Sequence, residues 1–329
     1  MESLFPFAEY WWIYASFLGL IAVVLAIDLG VFNKTPHQPS LKEAGLWTVA
    51  WVALAGLFNL ALYFYSLQKF GSAEIANRVG LEFLAGYVVE KTLAVDNIFV
   101  FAMVFAYFKV PLRFQHKVLF WGIIGALLFR GLFIALGAFL MQYHFVVVGF
   151  GVLLVLTGLK MAFQKDEGDM NDRWVLRLLR RWLPLTSDDD RGSFVRTING
   201  KRFVTPLFLA LVVIEVSDII FAVDSVPAIF ALTKEPLTVF TSNIMAILGL
   251  RSMYFMISGF MDKFTYIKYG LAAVLVFVGF KMSYLNGAFG GKFPITWSLA
   301  VITVLVGTSI VASLVKTRRG AARVRIAAR

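Results

Sequence analysis

The chain has 329 residues, 60% of them hydrophobic and 16% charged, with a mean hydropathy of +0.79 and a formal charge of +11. That composition excludes an ordinary soluble domain, and the absence of cysteine excludes disulfides and thiolate metal sites. Lys and Arg gather in short connecting pieces and in the C-terminal tail, so the positive charge reports membrane orientation, and nucleic-acid binding is not expected.

Apolar runs long enough to span a membrane recur along the chain, and about nine are expected. They fall at roughly 9–32, 45–66, 80–108, 118–141, 144–163, 203–232, 239–260, 265–284 and 294–315. The first segment begins MESLFPFAEYWW, without a basic leader, and is expected to be a retained helix with Asp28 near its end. It belongs with the second run to an N-terminal region, 1–79. The third run contains EKTLAVDNIF, with Glu90, Asp96 and Asn97, and the fourth contains Arg130 among Gly122, Gly125, Gly131 and Gly137. Residues 164–202 break the composition. Their segment DRWVLRLLRRWLP reads as a basic amphipathic stretch lying near anionic headgroups, and SDDD at Ser187–Asp190 as solvated loop.

The sixth run carries EVSDIIFAVDSVP, with Glu215, Ser217, Asp218, Asp224, Ser225 and Pro227. The seventh carries Ser242, Asn243 and Arg251, and residues 285–329 hold the last run and the tail KTRRGAARVRIAAR. With the N-terminus outside, the basic pieces 33–44, 109–117, 164–202, 261–264 and 316–329 all face inward, as the positive-inside rule asks. Lys160 and Lys281, at the ends of runs, are expected to snorkel toward the interface.

The chain repeats itself. A shift of 128 residues places Glu90 on Asp218 and Asp96 on Asp224, and a shift of 121 places Arg130 on Arg251 and Lys160-Met161 on Lys281-Met282. The two repeats are 80–163 and 203–284. With three spans each they are expected to be inverted, a plan that suits two halves exchanging outward- and inward-open shapes around a midplane site. An inverted duplication can also serve as a scaffold or receptor.

Asp28, Glu90, Asp96, Glu215, Asp218 and Asp224 lie in or near apolar runs. A charge at the bilayer centre costs roughly 2.5–3.5 kcal/mol on insertion scales, so these carboxylates need cations, protons or polar partners. They suit a hard divalent cation with oxygen ligands, to which Asn97, Ser217, Ser225, Ser242 and Asn243 can add neutral donors. Manganese, magnesium and calcium all fit that chemistry. A proton relay and a structural network are the other readings, and an antiporter can combine cation and proton roles. Arg130 and Arg251 read either as movable ion-pair partners of the acids or as permanent locks between helices.

Spacing constrains the site. Asp218 and Asp224 are six residues apart, about 240° around a helix, so an unbroken helix cannot easily present both to one small site. A wholly helical 203–232 segment would also be about 45 Å long against a hydrocarbon layer of about 30 Å. Pro227, which cannot bond to Val223, is therefore expected to kink or interrupt this helix. No phosphate-binding GxxxxGK[ST] loop, HExxH pair or Ser/His/Asp arrangement stands out, and no enzyme chemistry is expected.

At EVSDIIFAVDSVPAIFALT and EKTLAVDNIFVF the chain resembles the TerC family of bacterial integral membrane proteins, most closely its Alx-type branch. The likeness extends over nearly the whole chain. It implies an all-α, polytopic protein of the bacterial inner membrane that works in metal homeostasis, chiefly as a manganese exporter. The family's acidic motif positions match Glu90, Asp96, Asn97, Glu215, Asp218, Asp224 and Ser225, with Asp28 as a further acidic position. On this reading Mn²⁺ is a transported substrate rather than a cofactor, the N-terminus is periplasmic and the C-terminus cytoplasmic. The alternative is a membrane scaffold for secretion or protein-metalation machinery.

Overall fold

Long apolar runs of this kind satisfy their backbone hydrogen bonds in a lipid environment by coiling into helices. The computed structural model describes residues 3–27, 40–163, 184, 192–258, 266–289 and 293–327, with the side chains of Asp96 and 317–327 outside that description. Asp28, SDDD and all of WVLRLLRRWLP except Pro184 also lie outside the described residues.

The helices are α1 (Phe7–Ile27), α2 (Leu41–Phe70), α3 (Ala73–Tyr107), α4 (Leu112–Leu140), α5 (His144–Phe163), α6 (Pro206–Phe230), α7 (Pro236–Leu248), α8 (Leu250–Ser258), α9 (Ile267–Phe280) and α10 (Ile295–Ala327). Local signals set several boundaries. Ser40 and Glu43 form a reciprocal capping box on α2, which ends at Gly71 with φ of 63°. Ser72 then accepts the Ile75 N–H to start α3. The end of the basic loop holds a hairpin, β1 (Val195–Ile198) and β2 (Lys201–Val204), which no long apolar run marks. Its turn is Asn199-Gly200, both at positive φ, as a two-residue hairpin turn requires.

Among the described residues, seven helices are long and apolar enough to cross a membrane, and the pair α7 and α8, bent by 42°, makes an eighth. The protein is thus a helical, multi-pass membrane protein. Helix α3 does not meet that composition because Glu74, Arg78, Glu82, Glu90, Lys91 and Asp96 are strung along it. It packs against α2, α6, α7, α8 and α10, at the centre of the bundle. Large apolar side chains such as Leu46, Leu128, Phe145 and Phe163 are left on the outside, where lipid replaces water as the solvent.

Two seams fix the helices around α3. In the first, α4 presents glycines to α6: Gly122 faces Ile214, Gly125 faces Glu215 and Gly137 faces Phe230. In the second, α5 and α9 touch backbone to backbone. A Cβ on Gly151 would lie 2.9 Å from the Gly279 carbonyl, and one on Gly158 would lie 2.7 Å from that of Ala272.

Two expectations fail here. Helix α6 runs unbroken through Pro227, which stands only one turn from its end at Phe230, so the lost hydrogen bond falls where the helix is already terminating. The break occurs instead at Gly249, between α7 and α8. Lys281 does not snorkel: it is 2% exposed, in a π-helical turn (Lys281–Leu285) that prolongs α9, and within electrostatic reach of Glu82. Lys160, by contrast, is exposed.

The N-terminal segment is tied down by a carboxylate that stands between two apolar runs. Glu235, in the turn between α6 and α7 and outside the spanning helices, accepts hydrogen bonds from Ser3 Oγ (2.7 Å), Leu4 N (2.7 Å) and Phe5 N (3.2 Å). Burial pushes the Glu235 carboxyl above its ordinary value of 4.5; these hydrogen bonds oppose the shift, and the nearby Glu82 charge adds to it. A carboxyl whose folded pKa is raised contributes stability that is fully present below about 4.5 and lost as pH rises through the folded value. Glu235→Gln keeps an accepting oxygen without the charge. The Tm difference between the two proteins is therefore expected to move in the variant's favour as pH rises through that window. A difference that stays flat with pH contradicts this assignment.

Candidate functional site

Glu90 and Asn97 are seven residues apart on α3, and Asp218 and Ser225 are seven apart on α6. Seven residues is close to two helical turns, so each pair lies on one helix face. The packing of α3 against α6 turns these faces toward each other, and α4 inserts Arg130 between them.

The guanidinium of Arg130, 1% exposed, is the hub. Its Nη2 donates to Asp218 Oδ1 at 3.0 Å and its Nε to Asp218 Oδ2 at 3.3 Å, a two-pronged grip on one carboxylate. Its Nη1 donates to Glu90 Oε1, to Asn243 Oδ1 at 3.2 Å and to Ser225 Oγ at 3.3 Å. Two amides complete the network: Asn97 donates to Asp218 Oδ1 at 3.1 Å, and Asn243 donates to Glu90 Oε2 at 3.1 Å. Every member of this group is buried. Two carboxylates thus share one guanidinium, with three neutral side chains filling the remaining positions.

The other predicted residues are distributed around this hub. Asp224 points away from it, as six-residue spacing on an unbroken helix requires, and accepts from Thr157 of α5 at 3.2 Å. It shares a cavity with Glu90, Asn97, Arg130, Thr157 and Ser225, so it borders the cluster without joining it. Glu215, one turn before Asp218, lies against Gly125, and its Oε2 is buried without a hydrogen-bond partner. Asn97 Oδ1 is in the same position. Ser217 spends its hydroxyl on the Val213 carbonyl of its own helix, and Ser242 spends its own on Val239. Arg251 of α8 lines a second cavity with Asp218, Gly122, Ala126 and Ile214. The backbone of Asp96 lies on α3, and its side chain, like Asp28, falls outside the described residues.

Sequence reasoning missed a second buried polar group. Glu82, on α3 two turns before Glu90, pairs with Arg78 at 2.9 Å and accepts from Thr233 Oγ1, with Lys281 nearby. The spacing of eight residues from Glu90 was the available signal. Thr157 carried none, being an ordinary hydroxyl in an apolar run. Among the described residues, no group of three or more His, Asp or Glu side chains is set to hold a metal ion. The guanidinium lies between the Glu90 and Asp218 carboxylates and pairs with both.

These features define a multi-pass helical membrane protein with an ion-paired cluster buried inside its bundle. The chain belongs to the TerC family of integral membrane proteins: residues 75–321 match the family model described as "Integral membrane protein TerC family". It is 46% identical over 308 residues to an uncharacterized membrane protein of Myxococcus xanthus, covering 93% of each chain. It is 43% identical over 310 residues to a protein of Escherichia coli K12 named as a proposed membrane-bound redox modulator, Alx, covering 93% of this chain and 95% of the relative. A Rickettsia felis membrane protein is 36% identical over 302 residues. No solved structure matches the chain.

Proposed function

We propose that this protein is a secondary transporter of the bacterial inner membrane that exports manganese(II) from the cytoplasm through the Glu90–Asp218 cluster. The observation that carries the reading is the meeting of two carboxylates from matching positions of the repeats at one guanidinium, ringed by Asn97, Ser225 and Asn243. Oxygen donors of this kind suit a hard divalent cation. The choice of manganese rests on the family resemblance and not on the geometry. Asp224, Glu215, Asp96 and Asp28 are then acids along the route to and from the cluster.

The proposal counts nine spans, adding charged α3 to the seven helices and the bent α7–α8 pair. Residues 1–79 form the N-terminal helices, 80–163 and 203–284 the inverted three-helix repeats, 164–202 a cytoplasmic basic loop, and 285–329 the last span and tail. The N-terminus is periplasmic and the C-terminus cytoplasmic. The α5–α9 seam supports the repeat. Under the 121-residue shift Gly151 becomes Ala272 and Gly158 becomes Gly279, so the Gly151–Gly279 and Gly158–Ala272 contacts are images of each other, as a two-fold axis between these helices requires. Rocking of one repeat against the other, driven by the proton gradient or the membrane potential, opens the cluster to each side in turn. The substrate is a divalent ion and no covalent chemistry is involved; membrane lipids are the other partner.

Purified protein in liposomes tests this reading. Wild type is expected to carry Mn²⁺. Asp218→Asn and Glu90→Gln are expected to lower the flux by about tenfold or more, the loss of roughly 1.4 kcal/mol of ion binding, with Asp224→Asn less affected. Folded wild-type protein that carries no Mn²⁺ under any pH gradient or potential refutes transport in favour of a membrane scaffold.

A further inference from the structure

The two halves of the bundle treat their arginines differently. The 121-residue shift matches Arg130 with Arg251 and Gly122 with Asn243, and the 128-residue shift matches Glu90 with Asp218. In one half, Arg130 is driven fully into the bundle, where its Nη1 meets Glu90 and Asn243. In the other half the matching slot is a cavity. Asp218, Arg251 and Gly122 line it, and Gly122 has no side chain where its counterpart Asn243 fills the space. Asp218 therefore serves both arginines: it is bonded to Arg130 and forms a wall of the cavity beside Arg251.

We propose that Arg251 is the alternate ion-pair partner of Asp218, entering this cavity as Arg130 withdraws from Glu90 and Asp218. Arg251 exchanges its present contacts in that step, as Arg130 does. Charge sets a divalent cation against an arginine. The two carboxylates keep a net negative charge with one guanidinium, are neutralised by one divalent cation, and become net positive with a guanidinium and a divalent cation together, which a low-dielectric interior penalises. A divalent cation thus binds most favourably between the two arginine-held states. The inference rests on the paired-repeat transport reading and adds that the arginines alternate, rather than each locking its own half.

The chain has no cysteine, so a single introduced thiol reports cleanly. Ala126→Cys places one in the Arg251 cavity, where a small, charged thiol reagent measures access in full-length protein in liposomes. Arg130→Gln, or Arg130→Lys should the first variant fail to fold, is expected to slow labelling by about fivefold or more as Arg251 fills the cavity. Adding Arg251→Gln is expected to restore the original rate. Labelling unchanged in both folded Arg130 variants, or equally slow once Arg251→Gln is added, overturns the exchange. Mn²⁺ flux through the Ala126→Cys parent separates the two ideas. Flux without the labelling change defeats the exchange alone, and the labelling change without flux supports the exchange while defeating export.

Discussion

Arg130→Gln is expected to destabilise the folded protein by about 3–5 kcal/mol, the cost of stranding buried charges when their partner is removed. The guanidinium meets both oxygens of Asp218 and one of Glu90, and all three residues are almost wholly buried. Glutamine strands Glu90 among amides and a hydroxyl, and strands Asp218 as well except where Arg251 takes it up by the exchange proposed above. The loss is therefore expected to depend on them. Arg130→Gln made together with Glu90→Gln and Asp218→Asn should unfold at a higher temperature than Arg130→Gln alone, because the triple variant strands no charge. Thermal unfolding in detergent followed by size-exclusion chromatography measures this. Effects that add within about 0.5 kcal/mol would show that the three residues act independently.

The second large effect is expected at the α5–α9 seam. A Cβ at Gly158 would lie 2.7 Å from the Ala272 carbonyl and 3.0 Å from the Val276 nitrogen, and one at Gly279 would lie 2.5 Å from the Gly151 carbonyl. These neighbours are backbone, so the helices must part for even one carbon. Gly158→Ala is expected to cost roughly 1–3 kcal/mol, and Gly158→Leu to cost more and to abolish transport with it. Gly149, on the same helix, has nothing within 4 Å of an added Cβ. There alanine is expected to be neutral or to stabilise by up to about 1 kcal/mol through helix propensity. Equal effects of alanine at 149 and 158 on the melting temperature would mean that the close approach does not hold the bundle together.

Much of the bundle is legible in the chain because a membrane-spanning helix announces itself by length and hydropathy. The acids and Arg130 are legible for the opposite reason, as charges that an apolar run cannot carry unpartnered. Six-residue spacing on an unbroken helix sends Asp218 to Arg130 and Asp224 to Thr157, whereas the expected break at Pro227 would have let both serve one site. The misplaced break shows where such reading ends. Pro227 is a local signal, but a proline in the last turn costs little, whereas the bend at Gly249 depends on what α7 and α8 pack against. Lys91 of α3 reaches that bend, donating to the Ala246 carbonyl at 3.0 Å, and no local pattern foretells a contact between residues so far apart in the chain. Glu82 and Glu235 were passed over because each stands near the end of an apolar run, where a carboxylate usually meets water. Burial there comes from Thr233, Lys281 and the N-terminal segment, which only the fold brings in.

The central claim is that Glu90 and Asp218 together hold the transported ion in competition with Arg130. Equilibrium Mn²⁺ binding to purified protein, followed by the electron paramagnetic resonance of the free ion, tests it most directly. Wild type is expected to bind Mn²⁺, and both Glu90→Gln and Asp218→Asn to weaken binding by about tenfold or more while remaining folded. Undiminished Mn²⁺ affinity in both folded variants would contradict the account.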